Sequence, residues 1–251
     1  MNIPKDHPRY RSLTVREHLA EMVEKGLVTP TGMISHGRGE AFDYLMGEKS
    51  TIPALEAERA AAAFLLRAAN PVICVNGNAA ALDPDNLALL AREIPAKIEV
   101  NIFHRSEERM EKLIAHMEEH GAEGVLGRRP DSRIPGLESD RALCTKEGIY
   151  GSDVILVPIE DGDRAEALAD MDKIVISIDL NPLSRTSRAA SVSVSDEMTR
   201  ALENIIRFAR ELKHDGNEID RVINGFSNDS NRKSTVEAIC GSLMSEFRDV
   251  G

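Results

Sequence analysis

A chain of 251 residues with 42% hydrophobic residues is long enough to bury one large α/β core, and its formal net charge of −11 works against broad attraction to nucleic acid or anionic lipid. No apolar run approaches the roughly 18 residues of a membrane span, and "MNIPKDHPRYR" is too charged for a signal-peptide core, so a cytoplasmic protein with small-molecule partners is expected. Cys74, Cys144 and Cys240 are widely separated and odd in number, which excludes a disulfide framework or a CxxC metal site; they read as reduced core thiols.

In chain order, Thr14 and Glu17 form a capping box for a helix running to Lys25, with Val15, Leu19, Met22 and Val23 as its apolar face. Residues 26–36 read as a Pro/Gly linker that enters a helix within "HGRGEAFDYLMGE". A helix follows over 55–69, stopped by Asn70-Pro71. Apolar, β-branched runs then recur: "PVICVN" (71–76), "KIEVNIF" (97–103), "EGVL" (123–126), "DVILVPI" (153–159), "KIVISID" (173–179) and "ASVSVS" (190–195). Most are near-continuously apolar, as strands buried on both faces should be. Helices are predicted between them over 106–120, capped by Ser106 and closed by Gly121, and over 163–171. This alternation predicts an α/β fold of Rossmann-like type, a mostly parallel, doubly wound sheet with flanking helices. It is expected as a single domain over 1–213, including the N-terminal helical segment, followed by a polar tail over 214–251 that is weakly helical from Ser234.

In an open parallel sheet the ligand sits beyond the carboxyl ends of the strands. That rule selects Asn76-Gly77-Asn78, Phe103-His104-Arg105, Glu160–Arg164 and Asp179–Ser187, each rich in polar groups and turn formers. Asp179 and Asn181 suit ribose hydroxyls or a purine edge. Asp161 and Asp163 suit Mg²⁺ carried on a triphosphate, and Arg105, Arg164, Arg185 and Arg188 offer planar forks for phosphate or carboxylate. His36 and His104 are candidate general bases, set against the commoner role of a loop histidine as a structural hydrogen-bonding group.

Short motifs narrow the chemistry. "GRGEAF" has only two glycines of GxGxxG and no strand before it, and no Walker loop is present. What remains there is Arg38, flanked by glycines at a predicted helix start, where free N–H groups favour an anion. "HMEEH" (116–120) matches an H-x-x-E-H zinc pattern, but it falls in the last turn of a helix without a third ligand, and the zinc reading is set aside. No Ser/His/Asp or Cys/His constellation appears.

Longer words are more specific. "IPKDHPRYRSLTVRE", "HGRGEAFDYLMGE", "PVICVNGNAAAL", "EVNIFHR", "IPGLESDRA", "LVPIEDGDRAEAL" and "IDLNPLSRTS", in order over residues 3–202, resemble the archaeal phosphopantothenate synthetases, the 4-phosphopantoate–β-alanine ligases of coenzyme A biosynthesis. The resemblance implies a homodimeric, ATP-dependent ligase that releases AMP and diphosphate through an acyl adenylate, with Mg²⁺ accompanying ATP. By position it implies ATP contacts at Arg16, Arg38, Asp179, Leu180, Asn181, Arg185 and Thr186, and at Asp196-Glu197, where the family pattern has an aspartate followed by an amide. It names no metal ligand. Asn76, Asn78, His104 and Arg105 are assigned to the pantoate side from their places after strands, and Arg38, His104 and Arg105 form the candidate catalytic set. Two other classes stay open on sequence: a nicotinamide-dependent oxidoreductase, which would share the sheet, and a non-catalytic nucleotide-binding regulator, which would keep the arginines without turnover.

Overall fold

The computed structural model describes residues 3–7 and 9–245; Pro8 in the first matched word and residues 246–251 of the expected tail lie outside them. Three helices come first: α1 (Tyr10–Glu24), α2 (Pro30–Met46) and α3 (Ile52–Arg67). Then follow β1 (Pro71–Val75), α4 (Gly77–Leu82), α5 (Pro84–Glu93), β2 (Lys97–Val100), α6 (Glu107–Glu119), the short antiparallel pair β3 (Ser132–Arg133) and β4 (Leu143–Cys144), β5 (Val154–Pro158), α7 (Gly162–Ala169), β6 (Ile174–Ile178), α8 (Arg185–Ala189), β7 (Val192–Val194), α9 (Met198–Leu212), α10 (Gly216–Gly225) and α11 (Asn228–Ser245).

The main sheet has five strands in the order β2-β1-β5-β6-β7, all parallel. Its apolar runs divide by alternation between two buried faces. Ile73, Val75, Leu156, Ile176 and Ile178 pack into one core with α3, α5, α6 and α9, while Val72, Cys74, Ile155, Val157 and Val175 face a second core containing Leu168, Ile134 and Ile149. The expected doubly wound α/β architecture is therefore present. Helix α3 lies deepest: Ala57, Ala60, Ala61, Ala62 and Ala63 are all fully buried, and their small side chains let the helix approach α9 and β7 closely. Among the described residues no helix is long and apolar enough to cross a membrane.

Four local expectations differ. α1 begins at Tyr10, and Thr14 sits one turn inside it, donating its hydroxyl back to the Tyr10 carbonyl at 2.8 Å instead of capping. The stretch read as a linker over 26–36 is mostly helix, because Thr29 caps α2 by accepting from the Gly32 N–H (3.1 Å) and Pro30 occupies the first turn. Gly32 is required there for packing: a Cβ would fall 2.6 Å from Asn78 Oδ1. Residues 123–126 make a single parallel bridge, Leu126 to Glu99, since Gly124 and Gly127 on either side hold positive φ and end the pairing. The tail is helical from Gly216, not only from Ser234: α10 and α11 pack against α3, burying Ile219, Asn231 and Thr235.

Candidate active site

The carboxyl ends of β5, β6 and β7 open into a cavity of about 360 Å³, roofed by α2. The β5 exit supplies Ile159–Gly162, the β6 exit Ile178–Asn181 with Ser184–Thr186, and the β7 exit Asp196–Met198; α2 contributes Ser35, His36, Arg38, Gly39 and Phe42. The N-termini of α7, α8 and α9 converge here. Ser184 and Glu197 cap α8 and α9 by accepting their backbone N–H groups, whereas α7 has no side-chain cap. Three positive helix ends around one cavity favour an anionic ligand.

The β5 exit is held in a strained shape. Ile159 adopts φ 52°, a conformation that a β-branched residue reaches only when its surroundings impose it. Asn76 Nδ2 donates to the Pro158 carbonyl (3.0 Å) and the Ile159 carbonyl (2.9 Å), and the Thr186 hydroxyl donates to the Glu160 carbonyl (2.8 Å). Gly162 lies so close to α8 that a Cβ would stand 2.5 Å from Arg185 Cβ. Beneath the turn, the buried Glu160 carboxylate is paired with Arg141 and Arg164, whose charges hold its pKa below the usual range against the opposing effect of burial.

At the β6 exit, Asp179 accepts from the Asn181 N–H (3.0 Å) and the Ser184 hydroxyl (2.5 Å), which fixes the loop. Burial holds its pKa above the usual carboxylate range, opposed in part by the Ser184 and Asn181 hydrogen bonds and, more weakly, by the Arg38 charge across the cavity. Arg38 is exposed and makes no ion pair among the described residues. It sits in the middle of α2, not at a helix start, so the expected help from free helix N–H groups does not come from α2; those groups come from the facing helices. His36 is held neutral at pH 7 because burial lowers its pKa more than Glu40 raises it.

The cavity thus brings together Arg38, Asp179, Leu180, Asn181, Arg185, Thr186, Asp196 and Glu197 from segments up to 159 positions apart. Within that set, the Thr186 hydroxyl is spent on Glu160 and Glu197 caps α9 through Thr199 N (3.0 Å) and Arg200 N (3.2 Å). Arg185 is tied to Asp163 and Glu166, both at 2.6 Å. Arg16 stands outside the cavity, bonded to Glu40 at 2.9 and 3.0 Å, and Glu40 lines an adjoining cavity of about 120 Å³ with Arg9, Arg11, His36 and Arg200.

The remaining expected residues are placed elsewhere. Asn76 is a buried clamp and the α4 cap (Ala79 N, 3.0 Å), and Asn78 donates to the Gly32 carbonyl (3.0 Å). Arg105 donates to the carbonyls of Gly127 (2.5 Å) and Arg128 (3.3 Å), and His104 packs edge-on against Phe103. Of that trio it is Phe103 that reaches a cavity, the third, of about 650 Å³, which also involves residues 135–139, Arg141 and Asp170 and shares Asp161, Gly162 and Arg185 with the first. Arg164, expected to bind phosphate, is instead buried under the turn on Glu160. His116 and His120 are engaged by the Ala80 carbonyl (3.1 Å) and Asp85 (2.8 Å). Among the described residues no three His, Cys, Asp or Glu side chains are grouped to hold a metal.

Sequence reasoning missed Arg200 and Glu58. Arg200 bridges Asp43 of α2 and Asp196, and Glu58 of α3 lies beside Asp196. The i,i+4 spacing of Asp196 and Arg200 was the one readable sign of this cluster.

A doubly wound parallel sheet, with an arginine-bearing helix over an acidic loop and three helix N-termini, is an arrangement that suits an anionic ligand such as a nucleotide or phosphate ester. Residues 53–242 match the model of the phosphopantothenate/pantothenate synthetase family. The chain is 51% identical over 238 residues to a 4-phosphopantoate–β-alanine ligase of Methanosarcina mazei, covering 95% of this chain and 93% of the relative. It is 54% identical to the ligase of the same name from Methanospirillum hungatei over 85% and 87% of the two chains, and 48% identical to that of Thermococcus onnurineus over 91% and 88%. The chain belongs to the phosphopantothenate/pantothenate synthetase family.

Proposed function

We propose that this chain joins 4-phosphopantoate to β-alanine using ATP, releasing AMP and diphosphate and forming 4′-phosphopantothenate for coenzyme A biosynthesis. One observation carries the reading of the site: Arg38, without an ion pair among the described residues, faces Asp179 across a cavity ringed by three helix N-termini. The 4-phosphopantoate–β-alanine ligases that share about half their residues with this chain over most of its length support these substrates.

In this reading Asp179 accepts hydroxyl donors of the ribose, and Leu180 and Asn181 pack on the nucleoside. Arg38, the uncapped α7 N-terminus and, from the rim, Arg16 meet the phosphates. The acid substrate enters through the larger cavity, past Phe103 and the neighbouring His104 and Arg105, and Arg185 stands in the wall between the two. Its carboxylate attacks the α-phosphorus; diphosphate leaves, and the developing charge falls among the arginines and helix ends. The amine of β-alanine then displaces AMP from the acyl carbon, with neutral His36 placed to take the surplus proton. Mg²⁺ would neutralise phosphate charge, and Asp161, exposed at the cavity rim, is the carboxylate that fits it, since Mg²⁺ keeps most of its waters and needs only one or two protein oxygens.

The homodimer would cover the apolar side chains that α2 and α11 leave exposed, Met33, Ile34, Tyr44, Leu45, Leu243 and Met244. A cytoplasmic location follows from the substrates. The test follows the oxygen: 4-phosphopantoate labelled with ¹⁸O in its carboxylate should give AMP carrying one labelled oxygen. ADP with labelled inorganic phosphate overturns the adenylate route, and no turnover with all substrates present overturns the ligase reading.

A further inference from the structure

Glu58 is fully buried on α3, and neither of its carboxyl oxygens has a hydrogen-bond partner of good geometry. A carboxyl group in that position is costly unless something requires it. Its neighbours are Asp196, Asn204 and Arg200. The Asp196 carboxylate accepts from Ser50, from the Glu197 N–H (2.7 Å) and from Arg200 Nε (3.0 Å). Arg200 reaches on to Asp43 of α2 through Nη1 (3.2 Å) and Nη2 (2.5 Å). Asp43 lies five positions beyond Arg38 on the same helix.

A charge count selects the protonation state. Were Glu58 ionised, it, Asp196 and Asp43 would place three carboxylates around the single guanidinium of Arg200. The other ion pairs of α3, Arg59 with Glu211 and Glu218 and Arg67 with Asp220, involve partly exposed groups and supply no cation to this cluster. A protonated Glu58 removes one negative charge and gains an O–H to offer the adjacent Asp196.

We propose that Glu58 is a protonated positioning residue whose carboxyl O–H donates to Asp196, fixing the Asp196–Arg200–Asp43 relay that holds α2, and with it Arg38, over the nucleotide cavity. Burial, and then the Asp196 charge, push the Glu58 pKa up to about 10, in keeping with that state. The relay runs from α3 through the β7–α9 junction and α9 to α2, so the deepest helix of the core sets the height of the cavity roof. Glu58 touches no substrate; it acts through Asp196.

The test compares full-length wild type with Glu58→Gln and Glu58→Leu. Glutamine keeps a neutral donor at the same reach, whereas leucine keeps the volume without it. ATP binding by calorimetry, which needs no turnover, should be within twofold of wild type for Gln at pH 7.5 and at least tenfold weaker for Leu, with KM for ATP rising more than kcat falls. Wild-type ATP affinity should drop as the pH approaches 10, while that of Gln should not. Wild type should also show the infrared carbonyl stretch of a protonated carboxyl group at neutral pH, absent in Gln. Equal ATP affinity in a folded Leu variant, a Gln variant as weak as Leu, or parallel pH profiles of wild type and Gln would each overturn the proposal. Because it rests on ATP occupying this cavity, the infrared band separates the two ideas: a wild type that shows the band but binds no ATP fails the nucleotide reading and leaves the protonated Glu58 standing.

Discussion

Arg200 donates both terminal nitrogens to the carboxylate of Asp43, 157 positions earlier in the chain, at 3.2 and 2.5 Å. The bond ties α9, part of the main core, to α2, the helix that carries Arg38. Both side chains are nearly buried, so removing one strands the other in a site with little water. Arg200→Leu should destabilise the fold by about 3 kcal/mol, a fall in Tm of roughly 6–12 °C at this chain length. Thermal unfolding followed by circular dichroism checks it; a Tm within 2 °C of wild type, a margin of about 1 kcal/mol or less, refutes it.

Arg38 has the opposite character, exposed and mid-helix, where alanine is an excellent helix former. Arg38→Ala should keep Tm unchanged and weaken ATP binding by about 1.5–3 kcal/mol, the size of a lost charge-assisted hydrogen bond or pair of bonds. Lysine should recover only part, because it lacks the fork. Unaltered ATP affinity in titration calorimetry would make Arg38 an ordinary surface residue.

Asn76 serves two purposes, capping α4 with its oxygen and clamping the β5 exit with its nitrogen. Alanine removes both, for a loss of about 1–3 kcal/mol. Aspartate keeps the cap but sets a carboxylate against two carbonyl oxygens, so Asn76→Asp should be the less stable of the two in urea titrations. The reverse order would show that the cap outweighs the clamp.

Glu58 also leaves a signature in stability. Its pKa is raised to about 10 in the folded chain from 4.5, so folding binds a proton at neutral pH. For an acid shifted upward, the associated stability is whole below the unfolded pKa and is lost as pH rises through the folded one. Wild type should therefore weaken relative to Glu58→Gln as pH climbs from 5 towards 9, with glutamine the more stable at pH 8. A constant difference between the two across that range would show that Glu58 does not take up a proton on folding.

What the amino-acid sequence determined by itself was whatever local pattern encodes. Runs such as "VILVP" and "IVISI" announce strands because both their faces are buried and every position must be apolar. The parallel sheet, the loops at its carboxyl ends and the family words within them follow from those runs and what lies between them. The tertiary structure decided the rest. The first turns of α2 read as a linker because Pro30 and Gly32 lower helix propensity, and they form because Thr29 caps the helix and Gly32 admits Asn78. Arg164 and Arg185 both looked like phosphate ligands, yet one is buried under Glu160 while the other stands in a cavity wall. Asn76 clamps the β5 exit through partners 82 and 83 positions away, which nothing near it in the sequence announces. Glu58 gave no signal in its own neighbourhood, and the pairing of Asp43 with Arg200 is set only across distant helices. Periodicity and turn chemistry act over a few residues, whereas the pairing of buried charges is settled only when distant segments meet and water is excluded between them.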